Sequence, residues 1–236
     1  MWIESTLSKV PRHLAIIMDG VEQWARQRGL PRLEGYRAGN LWPIIEGCME
    51  HGVEVLTLYA FSTETGWPQE EIDSLVALLG ELIGGEVLKL YRDEVQLRYI
   101  GRLEGLPESL VRKIQEATEL TKGNERLILN IAFNYGGRTE IVDAVRRMIE
   151  DGIDPASLDE GLFSRYLCTA GLPDPDLIVR TAGEMRFSDF LIWQGAYAEY
   201  YYTPTCWPDF DKEELYRALL AYSKRERRFG RLSSES

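Results

Sequence analysis

The chain has 236 residues, 44% hydrophobic and 28% charged, the make-up of an ordinary globule long enough for one large core. Its formal net charge of -11 excludes broad attraction to nucleic acid or to an anionic membrane surface, since both require a positive field. The three cysteines, Cys48, Cys168 and Cys206, are far apart and form no CxxC pair, which excludes a disulfide framework and a cysteine-based zinc site and predicts a reducing, cytoplasmic setting.

In chain order, the opening stretch MWIESTLSKVPRH lacks the apolar core of a secretion signal. The run HLAIIM from His13 reads as a buried strand that delivers Asp19 and Gly20 to the start of a helix. Helical spacing follows over Leu41 to His51, then a second apolar run, VEVLTLYAF. From Ile72 to Tyr91 a longer helix is apolar around much of its circumference. Gly80, Gly84 and Gly85 weaken it and suggest room between helices for an apolar ligand. The strand VQLRYIG, a helix over Pro107 to Thr121, the strand RLILNIAFN, a helix over Thr139 to Asp151 and the strand DLIVRTAG complete the series. The terminal cluster SKRERRFGR reads as a solvated last helical turn. No apolar run is long enough to span a bilayer.

Near-continuous apolar strands alternating with helices predict an α/β fold, a parallel sheet covered on both faces, in a single domain over residues 1–236. In such folds ligands sit beyond the carboxyl ends of the strands. The segments placed there are Asp19 with Gly20, STET from Ser62, NYGG from Asn134 and RTAGEMR from Arg180. A carboxylate at Asp19 suits a metal or a ligand, or caps the helix behind it. Arg180, Arg186 and Ser188 supply two guanidinium forks and a hydroxyl, the equipment for an anion such as phosphate. Glu199 lies among tyrosines, where it needs a cation or a donor. Neither His13 nor His51 has a serine or cysteine partner at a recognisable spacing, and there is no P-loop and no GxGxxG. The residues alone therefore predict a phosphate-bearing substrate with an apolar portion, and an acid or Mg²⁺ at Asp19.

Taken together, HLAIIMDG, GLPRLEGYRAG, LTLYAFSTE, NIAFNYGGRTEIVDA, DPDLIVRTAGEMRFSDFLIWQGAYAEYYYT and WPDF resemble the cis-prenyltransferases, the undecaprenyl diphosphate synthase family, in register from about Pro11 to Phe210. The resemblance implies an apolar tunnel between sheet and helices, a homodimer, and condensation of isopentenyl diphosphate with an allylic diphosphate, assisted by Mg²⁺. It implies isoprenoid diphosphates as partners, no integral membrane segment, and at most peripheral contact with membrane lipid. Residue by residue it makes Asp19 the catalytic, magnesium-associated aspartate and Glu199 a second magnesium-associated carboxylate. Gly20 follows the aspartate, and Arg32 approaches the allylic diphosphate. Ser62 and Glu64 become substrate contacts after the second strand. Arg180, Arg186 and Ser188 hold the diphosphate of isopentenyl diphosphate.

The allylic half departs from the family pattern. Where the family reads Asp-Gly-Asn-x-Arg, this chain has Val21 for the asparagine and Gln23 for the arginine, with Glu22 between them. Tyr36 replaces a histidine, Thr65 and Gly66 replace an Asn-Trp pair with Trp67 one place on, Ala182 replaces a serine and Asp189 an asparagine. Three readings stay open at this point. One is a prenyltransferase in which Arg26, Arg28, Arg32 or Arg37 replaces the lost contacts. The second is a terpene cyclase or rearranging enzyme, with Asp19 or Glu22 protonating an alkene of one prenyl diphosphate. The third is a non-catalytic subunit that pairs with an active family member.

Overall fold

A computed structural model describes residues 7–39, 41–62 and 69–225. Its centre is one six-stranded sheet of order β3-β4-β2-β1-β5-β6, in which every pairing is parallel. The strands are β1 (His13–Ile17), β2 (Val55–Ser62), β3 (Val95–Ile100), β4 (Leu127–Tyr135), β5 (Leu177–Arg180) and β6 (Glu199–Tyr202). Helices fill the connections: α1 (Val21–Gln27), α2 (Arg32–Ala38), α3 (Trp42–His51), α4 (Gln69–Arg92), α5 (Glu108–Thr121), α6 (Gly137–Glu150), α7 (Glu160–Ser164) and α8 (Lys212–Ser223).

Side chains alternate across a strand, so β1 serves two cores at once. Leu14 and Ile16 join the larger core with α3, α4, α5 and α8, while Ala15 and Ile17 meet Tyr59, Tyr135 and Phe190 on the other face. The expected α/β architecture is therefore the observed one. An edge strand that hydropathy does not mark, β6, completes the sheet: EYYY is half-buried throughout and has no apolar run to announce it. At Gly80 there is space between helices as expected, a cleft of about 330 Å³ between α4 and α5 lined by Val76, Gly80 and Leu110 among others, but a cation stands beside it. Gly80 and Gly84 face Lys113 of α5, whose Nζ donates to the Gly80 carbonyl at 3.2 Å. The apolar space opens elsewhere, between β1, α2 and α4, as a cavity of about 90 Å³ lined by Met18, Val21, Tyr36, Leu75, Leu79 and Trp207 among others. Among the described residues no helix is long and apolar enough to cross a membrane.

One buried polar row crosses the sheet. His13, 1% exposed, stands 2.7 Å from the Pro173 carbonyl through Nδ1 and 2.7 Å from Thr57 Oγ1 through Nε2. Asn130 Nδ2 donates to the same threonine oxygen at 3.1 Å. A neutral ring with its proton on Nδ1 satisfies all three bonds. Burial lowers the His13 pKa to about 4, against the opposing pull of the Pro173 carbonyl and Asp176. Between pH 6.5 and about 4 the unfolded chain takes up a proton that the folded chain refuses. Stability is therefore full above 6.5 and is lost as pH falls through that window. Urea unfolding at pH 7.5 and pH 4.5 should differ by about 2–3 kcal/mol from this group; the variant His13→Asn should show a shallower slope over the same interval.

Candidate active site

The order of the sheet fixes where a ligand can enter. The chain moves from β1 to β2 on one side and later returns to β5 on the other, and the crevice lies beyond the carboxyl ends of those strands. There the structure has a cleft of about 870 Å³. Asp19, Gly20, Arg32, Ser62, Arg180 and Ser188 all line it, so six of the residues singled out from sequence meet at one place. Glu64 lies outside the described residues, as do Thr65, Gly66, Trp67 and most of the terminal basic cluster.

Asp19 is held from β5. The hydroxyl of Thr181 accepts the Asp19 N–H at 2.7 Å and donates to the Asp19 carbonyl at 2.7 Å, and that carbonyl also accepts the Trp207 N–H at 2.9 Å. The carboxylate takes the Gly20 N–H on Oδ1 (2.9 Å) and Arg180 Nη2 on Oδ2 (2.7 Å). Arg180 is 3% exposed and Asp19 36%, so the cation is buried while the acid faces the cleft. The other fork nitrogen of Arg180 donates to Ser188 Oγ (2.7 Å) and to the Arg186 carbonyl. Its Nε is buried without a partner among the described residues, a donor deficit that an anionic oxygen would remove.

Gly20 sits at φ 89°, and a Cβ there would come within 2.6 Å of the Ala182 Cβ. Both the left-handed backbone and the close approach require glycine. The segment after β5 is itself wound tightly: Ala182, Ser188, Asp189 and Leu191 all have positive φ. It is braced by Tyr59, whose ring stacks on Phe190 with centroids 4.5 Å apart and whose hydroxyl donates to the Tyr135 carbonyl at 3.2 Å.

Three of the altered positions have a local explanation. Asp189 accepts the Arg138 N–H on Oδ1 (2.9 Å), and its carbonyl accepts the Gly137 N–H (2.7 Å). A carboxylate suits the first turn of the fourteen-residue α6. Val21 is buried and packs where α2 passes closest: a Cβ on Gly35 would lie 2.9 Å from Val21 Cγ1. Tyr36 packs against the larger core and lines both the cleft and the apolar cavity. Val21, Tyr36, Met18 and Ala60 are shared by the two spaces, so the polar cleft and the apolar cavity adjoin.

Two expected site residues stand apart. The Arg186 guanidinium is exposed, ion-paired with Glu184, and does not line the cleft; its carbonyl, not its charge, contacts Arg180. Glu199 does not meet Asp19 within the chain. Parallel register pairs Arg180 with Ile17 but Glu199 with Leu177. That places Glu199 three residues, about 10 Å, back towards the amino ends of the strands. There it accepts Arg225 Nη1 at 2.8 Å. Of the four arginines offered as replacements, Arg26 and Arg32 line the cleft. Arg28 stacks on Trp24 and pairs with Asp209, and Arg37 pairs with Glu34. Sequence reasoning did not single out Thr181, Tyr59 or Arg138. The first two look like ordinary strand residues, whereas Arg138 directly follows the strand-end motif NYGG and was open to notice.

A resident metal cage is absent among the described residues: no three His, Cys, Asp or Glu side chains converge. Asp19 alone nevertheless suits Mg²⁺ that arrives with a diphosphate, because Mg²⁺ is commonly bound by one or two carboxylates plus substrate phosphates and water.

The chain is similar to known proteins over most of its length. Residues 17–230 match the family described as "Putative undecaprenyl diphosphate synthase". The isoprenyl transferase of Streptococcus mutans is 48% identical over 95% of this chain and 94% of its own. That of Aquifex aeolicus is also 48% identical, over 96% of this chain and 99% of its own. Lavandulyl diphosphate synthase from Lavandula x intermedia, solved with dimethylallyl diphosphate, superposes with a TM-score of 0.89 at 37% identity, covering 94% of this chain and 98% of the other. A probable undecaprenyl diphosphate synthase from Campylobacter jejuni gives 0.79 at 35% identity over 94% and 100%.

Proposed function

The chain belongs to the undecaprenyl diphosphate synthase family and is a prenyltransferase, and on that premise we propose that it joins isopentenyl diphosphate to an allylic diphosphate in the cleft at Asp19. One observation carries the reading: the Asp19–Arg180–Ser188 chain opens onto a polar cleft that adjoins an apolar cavity. A molecule with a diphosphate head and a hydrocarbon tail fits both halves. In the reaction the allylic C–O bond breaks and the diphosphate leaves with the electron pair. The alkene of isopentenyl diphosphate attacks the allylic carbon, a C–C bond forms, and a proton is released.

Arg180 and Ser188 bind and orient the diphosphate of isopentenyl diphosphate, with the guanidinium fork fixing its plane. Asp19 would hold Mg²⁺ carried by a substrate diphosphate, and when bound the ion neutralises charge developing on the leaving group. Val21, Tyr36 and the α4 leucines exclude water from the allylic carbon. The cyclase alternative needs a carboxylic acid kept neutral in a dry pocket. Glu22 is 67% exposed and Asp19 is ion-paired, so neither acid has that environment.

The enzyme works as a homodimer: Val142, Val145 and Ile149 form an exposed apolar stripe along α6 that a second copy would cover. Three free cysteines are consistent with a cytoplasmic location. The deciding experiment incubates the protein with Mg²⁺ and farnesyl diphosphate, with and without isopentenyl diphosphate, and reads products by mass spectrometry. Elongated diphosphates appearing only with isopentenyl diphosphate are expected. Products from farnesyl diphosphate alone would replace this reading with the cyclase one.

A further inference from the structure

Four arginines line the cleft, and two of them are already engaged by acids. Arg180 is paired with Asp19 at 2.7 Å, and Arg32 Nη1 stands 3.7 Å from Glu22 Oε2. Arg26 and Arg138 line the same cleft, and among the described residues neither guanidinium has a hydrogen bond or an ion pair. Arg138 stands on the far wall at the start of α6, beside Asp189. Arg26 stands on α1, the helix that also presents Val21, Glu22 and Gln23 to the cleft.

We propose that Arg26 receives the diphosphate of the allylic substrate, taking over from position 23, where this chain has glutamine. The inference rests on the prenyltransferase reading above and deepens it. Residues 23 and 26 are three apart on a helix and share one face. Moving the attachment point by three residues shifts it about 4.5 Å along the axis, a distance that a long arginine side chain spans. Both Gln23 and Arg26 are in fact cleft residues. Glu22 makes the need sharper. It adds a negative charge to the wall and draws on Arg32, so the α1–α2 wall without Arg26 would offer a diphosphate no unengaged cation. With Arg26 it offers a guanidinium fork whose charge nothing else on the described surface neutralises.

The test compares Arg26→Gln with the double variant Gln23→Arg/Arg26→Gln, using Arg37→Gln as a control because that side chain pairs with Glu34 and does not line the cleft. Arg26 is exposed, so its replacement leaves the fold intact. Arg26→Gln is expected to raise KM for farnesyl diphosphate about tenfold, the scale of one lost charge-assisted hydrogen bond, with KM for isopentenyl diphosphate unchanged. The double variant should recover most of the loss. Binding is measured in parallel by calorimetry with farnesyl thiodiphosphate, which binds without reacting; its Kd should rise by the same factor.

The thiodiphosphate measurement keeps the two readings distinguishable. If the wild-type protein makes no condensed product yet binds the thiodiphosphate through Arg26, the condensation reading fails and the Arg26 assignment stands. If Arg26→Gln binds the thiodiphosphate as tightly as the wild type, or if KM for both substrates rises equally, the Arg26 assignment is overturned.

Discussion

Asp19→Asn is expected to fold, to bind its substrates and to lose condensation by about three orders of magnitude in kcat, the scale for removing a group that stabilises transition-state charge. The substitution preserves shape: the backbone of residue 19 stays fixed by Thr181 and Trp207, and the amide oxygen still accepts a hydrogen bond. What disappears is the charge. Without it the Arg180–Ser188 wall of the cleft loses the carboxylate aimed into it that would hold Mg²⁺. Ground-state binding should survive, because removing a negative charge next to Arg180 leaves that cation freer to hold a phosphate. The expected signature is thus a collapse of kcat with no rise in KM, read from single-turnover and steady-state rates together. A parallel cost appears in stability. Arg180, 3% exposed, keeps its neutral acceptors but loses its counter-charge, which should lower unfolding free energy by about 1–3 kcal/mol in urea titrations. A variant within tenfold of wild-type kcat would remove Asp19 from the chemistry.

Arg180→Ala should do more damage to the protein and comparable damage to the reaction. Arg180 makes three contacts that no other side chain duplicates: to Asp19, to Ser188 Oγ and to the Arg186 carbonyl. The last two reach over the segment containing Ala182, Ser188, Asp189 and Leu191, each at positive φ. Such conformations cost on the order of 1–3 kcal/mol apiece and persist only where surrounding contacts over-determine them. Removing the guanidinium leaves Asp19 unpaired but still reachable by water, so the electrostatic penalty falls below that of a fully buried ion. Relaxation of the segment adds to it, and a total of about 3 kcal/mol is expected. Hydrogen exchange should report faster opening over residues 182–191 than in the wild type. Arg180→Lys separates the two effects: it keeps the charge, loses the fork, and should raise KM for isopentenyl diphosphate while restoring part of the stability. Equal KM values in Arg180→Lys and wild type would mean that Arg180 does not hold that substrate.

How much of this was legible beforehand depended on what each feature leaves in the sequence. The apolar runs around Ile16, Leu58, Ile131 and Val179 announce buried parallel strands because both faces of each strand are covered. Their ends then locate the cleft without any geometry. The edge strand β6 leaves no such trace, since four half-buried residues carry no hydrophobic signal. The same gap explains Glu199. Its chemistry was readable, but its distance from Asp19 is set by the register of β5 on β6, and register along an unrecognised strand cannot be inferred. Gly80 and Gly84 on α4 show a subtler limit: a missing side chain reveals that there is space, not that the Lys113 ammonium stands beside it.

The two walls of the cleft also differ in how freely they can change. One belongs to the sheet: Asp19, Thr181 and Arg180 interlock across β1 and β5, so a change at any of them reaches the other two and carries a cost in stability. The other is made of two seven-residue helices, α1 and α2, joined closely at Val21 and Gly35. Its exposed residues, Glu22, Gln23 and Arg26, can be exchanged one at a time with little effect on the core, whereas Val21, Gly35 and Tyr36 are packed. On the proposed assignment, the donor site on the helical wall can therefore change while the acceptor site in the sheet stays fixed. The unusual residues at positions 21, 22, 23 and 36 are all on the helical wall, two of them exposed and free to change, the other two, Val21 and Tyr36, fitted to the core beneath.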